Sequence, residues 1–372
     1  MRVSTSKMRR CVRLAGGLLL VASAAMAEVT GVDDGNSGET IVLASFEDHH
    51  PEGKLLGTPE CGSIYKPVVK GCSPRQSPGS CKRYIVDDFL SADEVEGLRG
   101  VADSGITPMP EGGPTIMDVN SGYVFSNSLS LPPLCLPVVS TDTTTSYSYV
   151  MNSKSGLVNL YDGPGPGKNP FSHDQLALYK NSVERIRAKV KSLFSLETLY
   201  LTAPTFLTRV VGNPDWQPKE MHDEYYHPHV DKENTGHYDY SGLLYLADHG
   251  TDFTGGQFSF MDSGPDGKPV SSMDHGHAVN STVMPKKGRL IIFTAGSENL
   301  HRLTKVETGT RTVLSLWFTC DESKQFDLFL DGRAHKTYKQ QEGGARGGGK
   351  RRRGRAKAKK MRTAKKETND EL

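Results

Sequence analysis

Apolar residues recur at helical spacing in two parts of the chain. In the longer part, Leu176 opens a series of apolar positions three or four residues apart, as expected for a helix with one buried face. Ser172 with Gln175, and Ser91 with Glu94, stand just before these series. Each pair matches a capping box, in which the two side chains satisfy free backbone amides at a helix start. The sequence therefore predicts two helices that begin directly after the two serines.

Short apolar runs replace the helical pattern in the second half of the chain. Glycine, proline and asparagine separate them, and the predicted strands lie at residues 205–211, 240–246, 256–261, 289–294 and 312–320. A further strand is predicted at residues 84–90, before the first helix. Many short strands at this spacing are typical of a β-sandwich or a jelly roll. Residues 105–172 are rich in proline, glycine, serine and threonine, and we expect short strands or a lid there.

Composition and charge divide the chain of 372 residues into four segments. The expected segments are a signal peptide at 1–27, a linker with cysteines at 28–81, a folded domain at 82–322 and a basic disordered tail at 323–372. The net charge of +2 conceals a contrast, because residues 28–345 carry 40 acidic and 28 basic residues. Residues 346–366 carry 12 Lys/Arg and no acidic residue. We expect this tail to be a flexible spacer, with binding to an acidic partner as the alternative.

The two ends of the chain predict a compartment. Residues 1–27 combine basic residues, a short apolar run and Ala25-Met-Ala, which is the pattern of a cleaved secretory signal peptide. The last four residues, Asn-Asp-Glu-Leu, resemble the Lys-Asp-Glu-Leu retrieval signal. We therefore expect a protein of the endoplasmic reticulum lumen with no membrane span after cleavage and no nucleic-acid partner. The alternatives are secretion, or membrane anchoring by an uncleaved signal.

Cysteine usage agrees with an oxidising compartment. Five cysteines follow the signal peptide, namely Cys61, Cys72, Cys81, Cys135 and Cys320. An odd number cannot pair fully within one chain. We expect one disulfide among Cys61, Cys72 and Cys81; a zinc knuckle is the rival, although no Cys-x-x-Cys spacing supports it. Asn280 opens an Asn-Ser-Thr sequon, which predicts a glycoprotein with this residue in a surface loop.

A few polar residues among the predicted strands suggest metal chemistry. His229 and Asp231 form a His-x-Asp triplet, and a second triplet begins at His237. His301 follows a predicted strand, and Arg311 lies ten residues beyond it. Two imidazoles and one carboxylate on a common face hold Fe(II) and leave positions open for a 2-oxo acid and dioxygen. Arginine suits the distant carboxylate of such an acid because its planar guanidinium donates two parallel hydrogen bonds.

With the motifs around them, these residues resemble the iron- and 2-oxoglutarate-dependent dioxygenases, prolyl 4-hydroxylase branch. The stretches that carry the resemblance are His229-Val-Asp-Lys, Ser241-Gly-Leu-Leu-Tyr-Leu-Ala-Asp, Gly255-Gly-Gln-Phe-Ser-Phe, Pro285-Lys-Lys-Gly and Phe293-Thr-Ala-Gly-Ser-Glu-Asn-Leu-His-Arg. The resemblance covers residues 82–320. Family spacing favours His229 over His237 because the next core strand follows His237 too soon. Collagen prolyl hydroxylases usually have lysine where Arg311 stands and carry a peptide-binding domain that has no counterpart here.

The resemblance implies a mainly β fold with flanking helices, a double-stranded β-helix or jelly roll. It implies His229, Asp231 and His301 as Fe(II) ligands, Arg311 and Tyr226 as residues that bind 2-oxoglutarate, and dioxygen as co-substrate. Ascorbate is an additional candidate ligand. The implied activity is hydroxylation of a peptidyl side chain, with proline preferred, in a peptide or protein of the secretory pathway, with release of succinate and CO2. Hydroxylation of lysine or a small molecule, and a non-catalytic jelly roll that binds a glycan or client protein, remain alternatives.

Several neighbouring residues have structural interpretations. His227 is expected either to support the metal site or to lie on the surface. The histidines in residues 274–277 are expected in a solvated loop rather than in a second metal site. Trp317 and Phe318 are expected in the core, and Asn299 is expected to cap a turn beside His301.

Overall fold

The computed structural model describes residues 40–62, 68–74, 79–106, 111–126, 151–152, 157–161, 170–218, 225–262 and 279–325. The predicted signal peptide, Cys135, the loop at 274–277 and nearly all of the basic tail lie outside the described residues. The described residues belong to one compact unit. Within the described ranges, no helix is both long enough and apolar enough to cross a membrane.

The described residues form fifteen strands and three α-helices. The strands are β1 (Thr40–Ala44), β2 (Lys54–Gly57), β3 (Arg83–Val86), β4 (Gly113–Met117), β5 (Tyr123–Ser126), β6 (Met151–Asn152), β7 (Leu157–Asn159), β8 (Tyr200–Val211), β9 (Tyr240–Tyr245), β10 (Phe253–Gly255), β11 (Phe258–Met261), β12 (Asn280–Val283), β13 (Leu290–Thr294), β14 (His301–Leu303) and β15 (Val306–Thr319). The helices are α1 (Ala92–Gly105), α2 (His173–Phe194) and α3 (Asp231–Asn234), and 3₁₀ turns lie at Ser297–Asn299 and Glu322–Lys324.

The two long helices begin where the capping boxes predict. Ser91 caps α1 and Ser172 caps α2, and in each box the serine hydroxyl accepts from the backbone amide three residues on. The apolar stripe of α2 is buried, at Leu176, Tyr179, Val183, Ile186 and Val190. Both helices pack against one face of the larger sheet and build the main core with it.

Two β-sheets enclose the second core of the molecule. The eleven-stranded sheet has the order β2-β3-β13-β9-β15-β8-β4-β5-β7-β6, with β10 paired to β15. The four-stranded sheet has the order β1-β12-β11-β14. Between them lie buried residues that include Tyr245, Phe258, Phe260, Ile291, Phe293 and Val313. Two sheets packed face to face, with helices on the outer side of the larger one, confirm the predicted double-stranded β-helix.

The prediction of a linker is wrong for residues 40–57, which contain two strands. β1 pairs in parallel with β12, and β2 pairs with β3. Ile41, Val42 and Leu55 in these strands are 46–56% exposed, so the alternation that marks a half-buried strand is weak. Their pairing partners are remote in sequence, which is why local pattern does not reveal them. The short strands expected within residues 105–172 are present as β4 to β7.

Four of the cysteines in the described residues form two disulfides. Cys61 pairs with Cys81, as one of the expected combinations, and Cys72 pairs with Cys320 across 248 residues. With their sulfurs paired, these cysteines form no zinc knuckle. The second disulfide fastens the stretch before the predicted domain to the end of β15.

The prediction that Asn280 lies in a surface loop is wrong. Asn280 begins β12, lies opposite Met261 of β11 and is only 4% exposed. Strand pairing on both sides, with β11 and with β1, encloses this position. A glycan on the folded chain needs an accessible side-chain amide, so the burial of Asn280 argues against that modification.

Candidate metal centre

The first and last predicted ligands are joined by a backbone bridge. The amide of His229 donates to the carbonyl of His301 at 2.9 Å, and the amide of His301 donates back at 3.1 Å. This antiparallel pair extends the four-stranded sheet beyond β14. It places the two imidazole centroids 4.3 Å apart. Two residues after His229, Asp231 opens α3, and its Oδ1 lies 3.8 Å and 3.9 Å from the Nε2 atoms of the two histidines.

A backbone carbonyl faces Nδ1 of each imidazole ring. Nδ1 of His229 lies 3.1 Å from the carbonyl oxygen of His227, and Nδ1 of His301 lies 2.9 Å from that of Asn299. A carbonyl oxygen only accepts, so in each neutral ring Nδ1 carries the proton and Nε2 keeps its lone pair. Both Nε2 lone pairs are therefore available to a metal, in the arrangement typical of metal-binding histidines.

A residue of the larger sheet holds the carboxylate of Asp231. The hydroxyl of Ser241, on β9, donates to Oδ2 of Asp231 at 2.6 Å. Asp231 and Ser241 are both buried. Because Oδ2 is occupied, Oδ1 is the oxygen turned toward the two histidines.

His301 lies in an apolar environment. Its ring stacks on Phe258, with centroids 5.1 Å apart, and meets Phe293 edge to face at 5.2 Å. Burial, followed by the neighbouring His229, lowers the pKa of His301 to about 4. The ring is therefore neutral at physiological pH, as a metal ligand must be. The aromatic rings keep water away from this side of the centre.

A buried arginine lies on the larger sheet, at the other end of the face that carries Ser241. Arg311, on β15, donates from Nε to the carbonyl of Gly256 at 3.0 Å. Its Nη2 is buried without a hydrogen-bond partner among the described residues. The hydroxyl of Tyr245 is likewise buried, and the guanidinium carbon lies 5.3 Å from the Tyr245 ring. A buried guanidinium nitrogen without an acceptor is costly, unless an anionic ligand accepts from it.

The surroundings of Arg311 suit a small dicarboxylic acid. An apolar cluster beside it contains Val210, Ala247, Phe253 and Val306. Along β9, Ser241 supports the metal end and Tyr245 faces the arginine end, which are separated by about 13 Å of strand. Four residues apart on one strand, the two side chains share a face. An anion could therefore be held by Arg311 while the rest of the ligand extends toward the histidines.

The expectation for Tyr226 stays a prediction. Its ring meets Tyr225 edge to face at 5.2 Å. The hydroxyl of Tyr225 accepts from the Val306 amide at 2.9 Å. Burial raises the pKa of Tyr225, and the charge of Arg311 opposes that rise. Tyr225 thus contacts β15, the strand that carries Arg311, and lies one position before the residue that family spacing indicates.

The structure brings together the three predicted ligands. The potential ligand atoms of His229, Asp231 and His301 lie within 4.8 Å of one another. Two imidazoles, one carboxylate and a buried arginine fit Fe(II) and a 2-oxo acid. His237 is not part of this group, because its Nε2 contacts the hydroxyl of Thr202 at 3.1 Å.

Other predictions near the site have mixed outcomes. His227 supports the centre through its backbone carbonyl. Asn299 joins its turn to β13, since its side-chain amide donates to the carbonyl of Thr294 at 2.7 Å. Phe318 is in the core, as predicted. Trp317 is not fully buried, and its ring stacks on Tyr238 with centroids 5.2 Å apart.

Sequence reasoning missed two residues with direct roles at the site. Ser241 and Tyr245 both lie in the predicted strand at residues 240–246. Their alternation places them on one face with Leu243, and a serine and a tyrosine there are unusual for a purely apolar face. That pattern was available in the sequence, but it did not show which ligand each side chain would meet.

Comparison with known proteins gives consistent relatives. The family model described as 2OG-Fe(II) oxygenase superfamily matches residues 216–319. A mouse protein named 2-oxoglutarate and iron-dependent oxygenase domain-containing protein 3 is 31% identical over 318 residues, with 84% of each chain covered. Human prolyl 3-hydroxylase 2 is 28% identical over 274 residues, which are 69% of this chain and 32% of that protein.

Among solved structures, the 2OG complex of the viral collagen prolyl hydroxylase vCPH from Paramecium Bursaria Chlorella virus-1 is 14% identical, with a TM-score of 0.33. The match covers 64% of this chain and 96% of that one. The family itself rests on the sequence relatives, above all the mouse protein that the chain covers over most of its length. Members use Fe(II), 2-oxoglutarate and dioxygen, which is the chemistry that the donor set fits. The chain therefore belongs to the 2OG-Fe(II) oxygenase superfamily and is a 2-oxoglutarate-dependent dioxygenase.

Proposed function

We propose that this dioxygenase hydroxylates a side chain within a peptide or protein, with proline as the target residue, in the lumen of the endoplasmic reticulum. The observation that carries the proposal is the complete donor set, together with a buried Arg311 whose Nη2 has no acceptor among the described residues. A module that only binds a glycan or client protein does not require a buried arginine with a free donor beside a metal site. The relatedness to prolyl 3-hydroxylase 2 supports proline as the target.

The residues of the centre have separable tasks. His229, Asp231 and His301 would hold Fe(II), and Ser241 fixes the carboxylate of Asp231. Bound Fe(II), together with 2-oxoglutarate and dioxygen, supplies the oxidation that inserts oxygen into a C–H bond and releases succinate and CO2. Arg311 would neutralise the far carboxylate of 2-oxoglutarate in a buried environment, where charge pairing is strong.

An aromatic wall beside the metal centre supports a proline-containing substrate. Trp317 lies directly opposite Ser241 in the β9–β15 ladder, on the face that carries the metal site. It stacks on Tyr238 with an interplanar angle of 11°, and Phe206 meets it edge to face at 5.4 Å. Trp317 and Phe206 are partly exposed. A flat, half-open aromatic surface provides apolar contact for a compact ring such as that of proline.

The activity can be tested before the natural substrate is identified. We would incubate the purified protein with Fe(II), 2-oxoglutarate, dioxygen and a proline-containing peptide library, and with a matched library in which alanine replaces proline. The proposal predicts succinate release and gain of one oxygen atom that depend on proline and vanish in His301→Ala. Trp317→Ala should reduce peptide-dependent succinate release and leave peptide-free release unchanged. Oxygen gain on lysine alone, or no turnover with any peptide, would contradict the proline proposal.

The proposed location rests on the two ends of the chain and on the disulfides. The chain has two disulfides, Cys61–Cys81 and Cys72–Cys320. Disulfides are typical of proteins in an oxidising compartment. Removal of residues 369–372 should release the protein into the medium of expressing cells, whereas the complete chain should be retained. Equal retention of both forms would contradict the retrieval signal.

A further inference from the structure

The stretch from Cys61 to Cys81, called here the cysteine segment, contacts the elements that carry the iron ligands. Cys61 pairs with Cys81 within it, and Cys72 pairs with Cys320 just beyond β15. The segment lies well before the superfamily match at 216–319. We propose that the cysteine segment positions the iron ligands, with His301 supported beside one disulfide and Asp231 beside the other. This inference depends on the iron site and is independent of the proposed substrate.

The first disulfide holds the segment against the turn that precedes His301. Next to Cys61, the amide of Gly62 donates to Oε2 of Glu298 at 3.1 Å. A Cβ atom at Gly62 would lie 2.3 Å from Oγ of Ser297. The backbone of the segment therefore lies directly on the 3₁₀ turn. The other oxygen of Glu298 accepts from the hydroxyl of Thr294 at 2.5 Å, so one carboxylate links the segment to the end of β13.

Two residues beyond Cys81, Arg83 completes the contact with His301. Its Nε donates to Oδ1 of Asn299 at 2.6 Å, and its Nη2 donates to the carbonyl of Glu298 at 3.0 Å. Nη1 pairs with Asp262 at 2.6 Å. The carbonyl of Asn299 in turn accepts from Nδ1 of His301 at 2.9 Å. A continuous series of buried and partly buried contacts thus runs from the first disulfide to the imidazole of His301.

The second disulfide contacts the loop that follows Asp231. The next residue, Lys232, is buried and donates from Nζ to Oδ1 of Asp239 at 2.9 Å. The other oxygen of Asp239 accepts from the amide of Cys320 at 2.7 Å. On the partner cysteine, the carbonyl of Cys72 accepts from the hydroxyl of Tyr240 at 2.5 Å. The loop between Asp231 and β9 is therefore tied to Cys320, and the first residue of β9 is tied to Cys72.

The two disulfides should affect iron more than 2-oxoglutarate. A metal site depends on ligands held close to the productive geometry by their outer contacts, whose loss costs about 10–100-fold in affinity. The contacts of Arg311 come instead from Gly256 and from the neighbourhood of Tyr245. None of the described contacts of Arg311 involves the cysteine segment. Loss of a disulfide should therefore weaken iron binding and spare the 2-oxoglutarate requirement.

The decisive experiment compares iron binding in paired cysteine variants of the full protein. The variants are Cys61→Ser with Cys81→Ser, and Cys72→Ser with Cys320→Ser; Cys135→Ser, which leaves both disulfides in place, is the matched control. Titration with Fe(II) without oxygen should show about 10-fold or greater weakening in the two paired variants only. At saturating Fe(II), the KM for 2-oxoglutarate in succinate release should stay within about twofold. Unchanged iron affinity in folded paired variants, or equal losses for iron and 2-oxoglutarate, would overturn the proposal.

A second measurement covers the case in which loss of a disulfide prevents folding. Glu298→Gln and Arg83→Lys keep both disulfides, and each should weaken Fe(II) binding by itself. With both disulfides in place, Arg83→Lys should add little to the loss caused by Glu298→Gln, because both changes interrupt the same series of contacts. Additive losses, or normal iron affinity in both single variants, would overturn the proposal. These assays contain no peptide substrate, so a failure of the proline proposal would leave their results unaffected.

Discussion

Ser241→Ala isolates the support of the iron ligand Asp231. Ser241 is completely buried on β9, and its hydroxyl donates to Oδ2 of Asp231 at 2.6 Å. The substitution removes one oxygen atom and leaves the strand and its apolar neighbours intact. Oδ2 then loses its donor, and the carboxylate is free to rotate away from the two imidazoles.

The expected magnitude follows from the charge on the acceptor. A hydrogen bond to a charged group contributes about 1.5–3 kcal/mol, which corresponds to about 10- to 100-fold in a dissociation constant. Loss of an outer contact to a metal ligand falls in the same range. We therefore expect the Kd for Fe(II) in Ser241→Ala to rise by about 10- to 100-fold.

The assay is anaerobic titration of the metal-free protein with Fe(II), and Ser259→Ala is the matched control. Ser259 is also a buried strand serine, but its hydroxyl bonds to that of Thr282 at 2.7 Å, away from the metal centre. Ser259→Ala should lower the free energy of unfolding by about 1 kcal/mol and leave iron affinity unchanged. Equal iron affinities in the two variants would refute the role assigned to Ser241.

Three other substitutions test the remaining parts of the structure. Arg311→Ala should raise the KM for 2-oxoglutarate on the order of 100-fold, since it removes a buried charge partner; an unchanged KM would exclude the anchor role. Gly256→Ala should also raise it, because a Cβ there would lie 2.9 Å from Cδ of Arg311 at a φ of +64°, whereas Gly236→Ala, with open space around it, should have no effect. Burial raises the pKa of Asp118, so its ionisation costs stability as pH rises. The free energy of unfolding of Asp118→Asn, minus that of the wild type, should therefore increase as the pH rises above about 4, and a difference independent of pH would contradict this burial effect.

The sequence predicted those features whose signals are local. The capping boxes at Ser91 and Ser172 mark helix starts because their hydrogen bonds span only three residues. The strands of the jelly roll were recognisable as apolar runs between turn residues. His229, Asp231 and His301 were recognisable through the resemblance of the motifs around them to the dioxygenase family, and the backbone bridge between His229 and His301 explains how distant motifs meet.

The features that sequence reasoning missed depend on remote partners. β1 pairs with β12, which lies some 240 residues further along the chain, and its exposed apolar residues give no clear alternation. The same pairing encloses Asn280, so a sequon that suggested a surface loop lies inside a sheet. The bond between Cys72 and Cys320 spans almost the whole domain. Trp317 fits a core pattern locally, yet it faces the half-open side of the metal site.

The central claim is that this chain forms an Fe(II)–2-oxoglutarate centre on His229, Asp231 and His301. The most direct test is to mix metal-free protein with Fe(II) and 2-oxoglutarate in the absence of oxygen and to record the visible spectrum. A weak charge-transfer band of chelated iron should appear, vanish in His229→Ala and persist in His237→Ala, which alters the other His-x-Asp triplet. A folded protein that shows no band, or a band that survives in His229→Ala, would contradict the account.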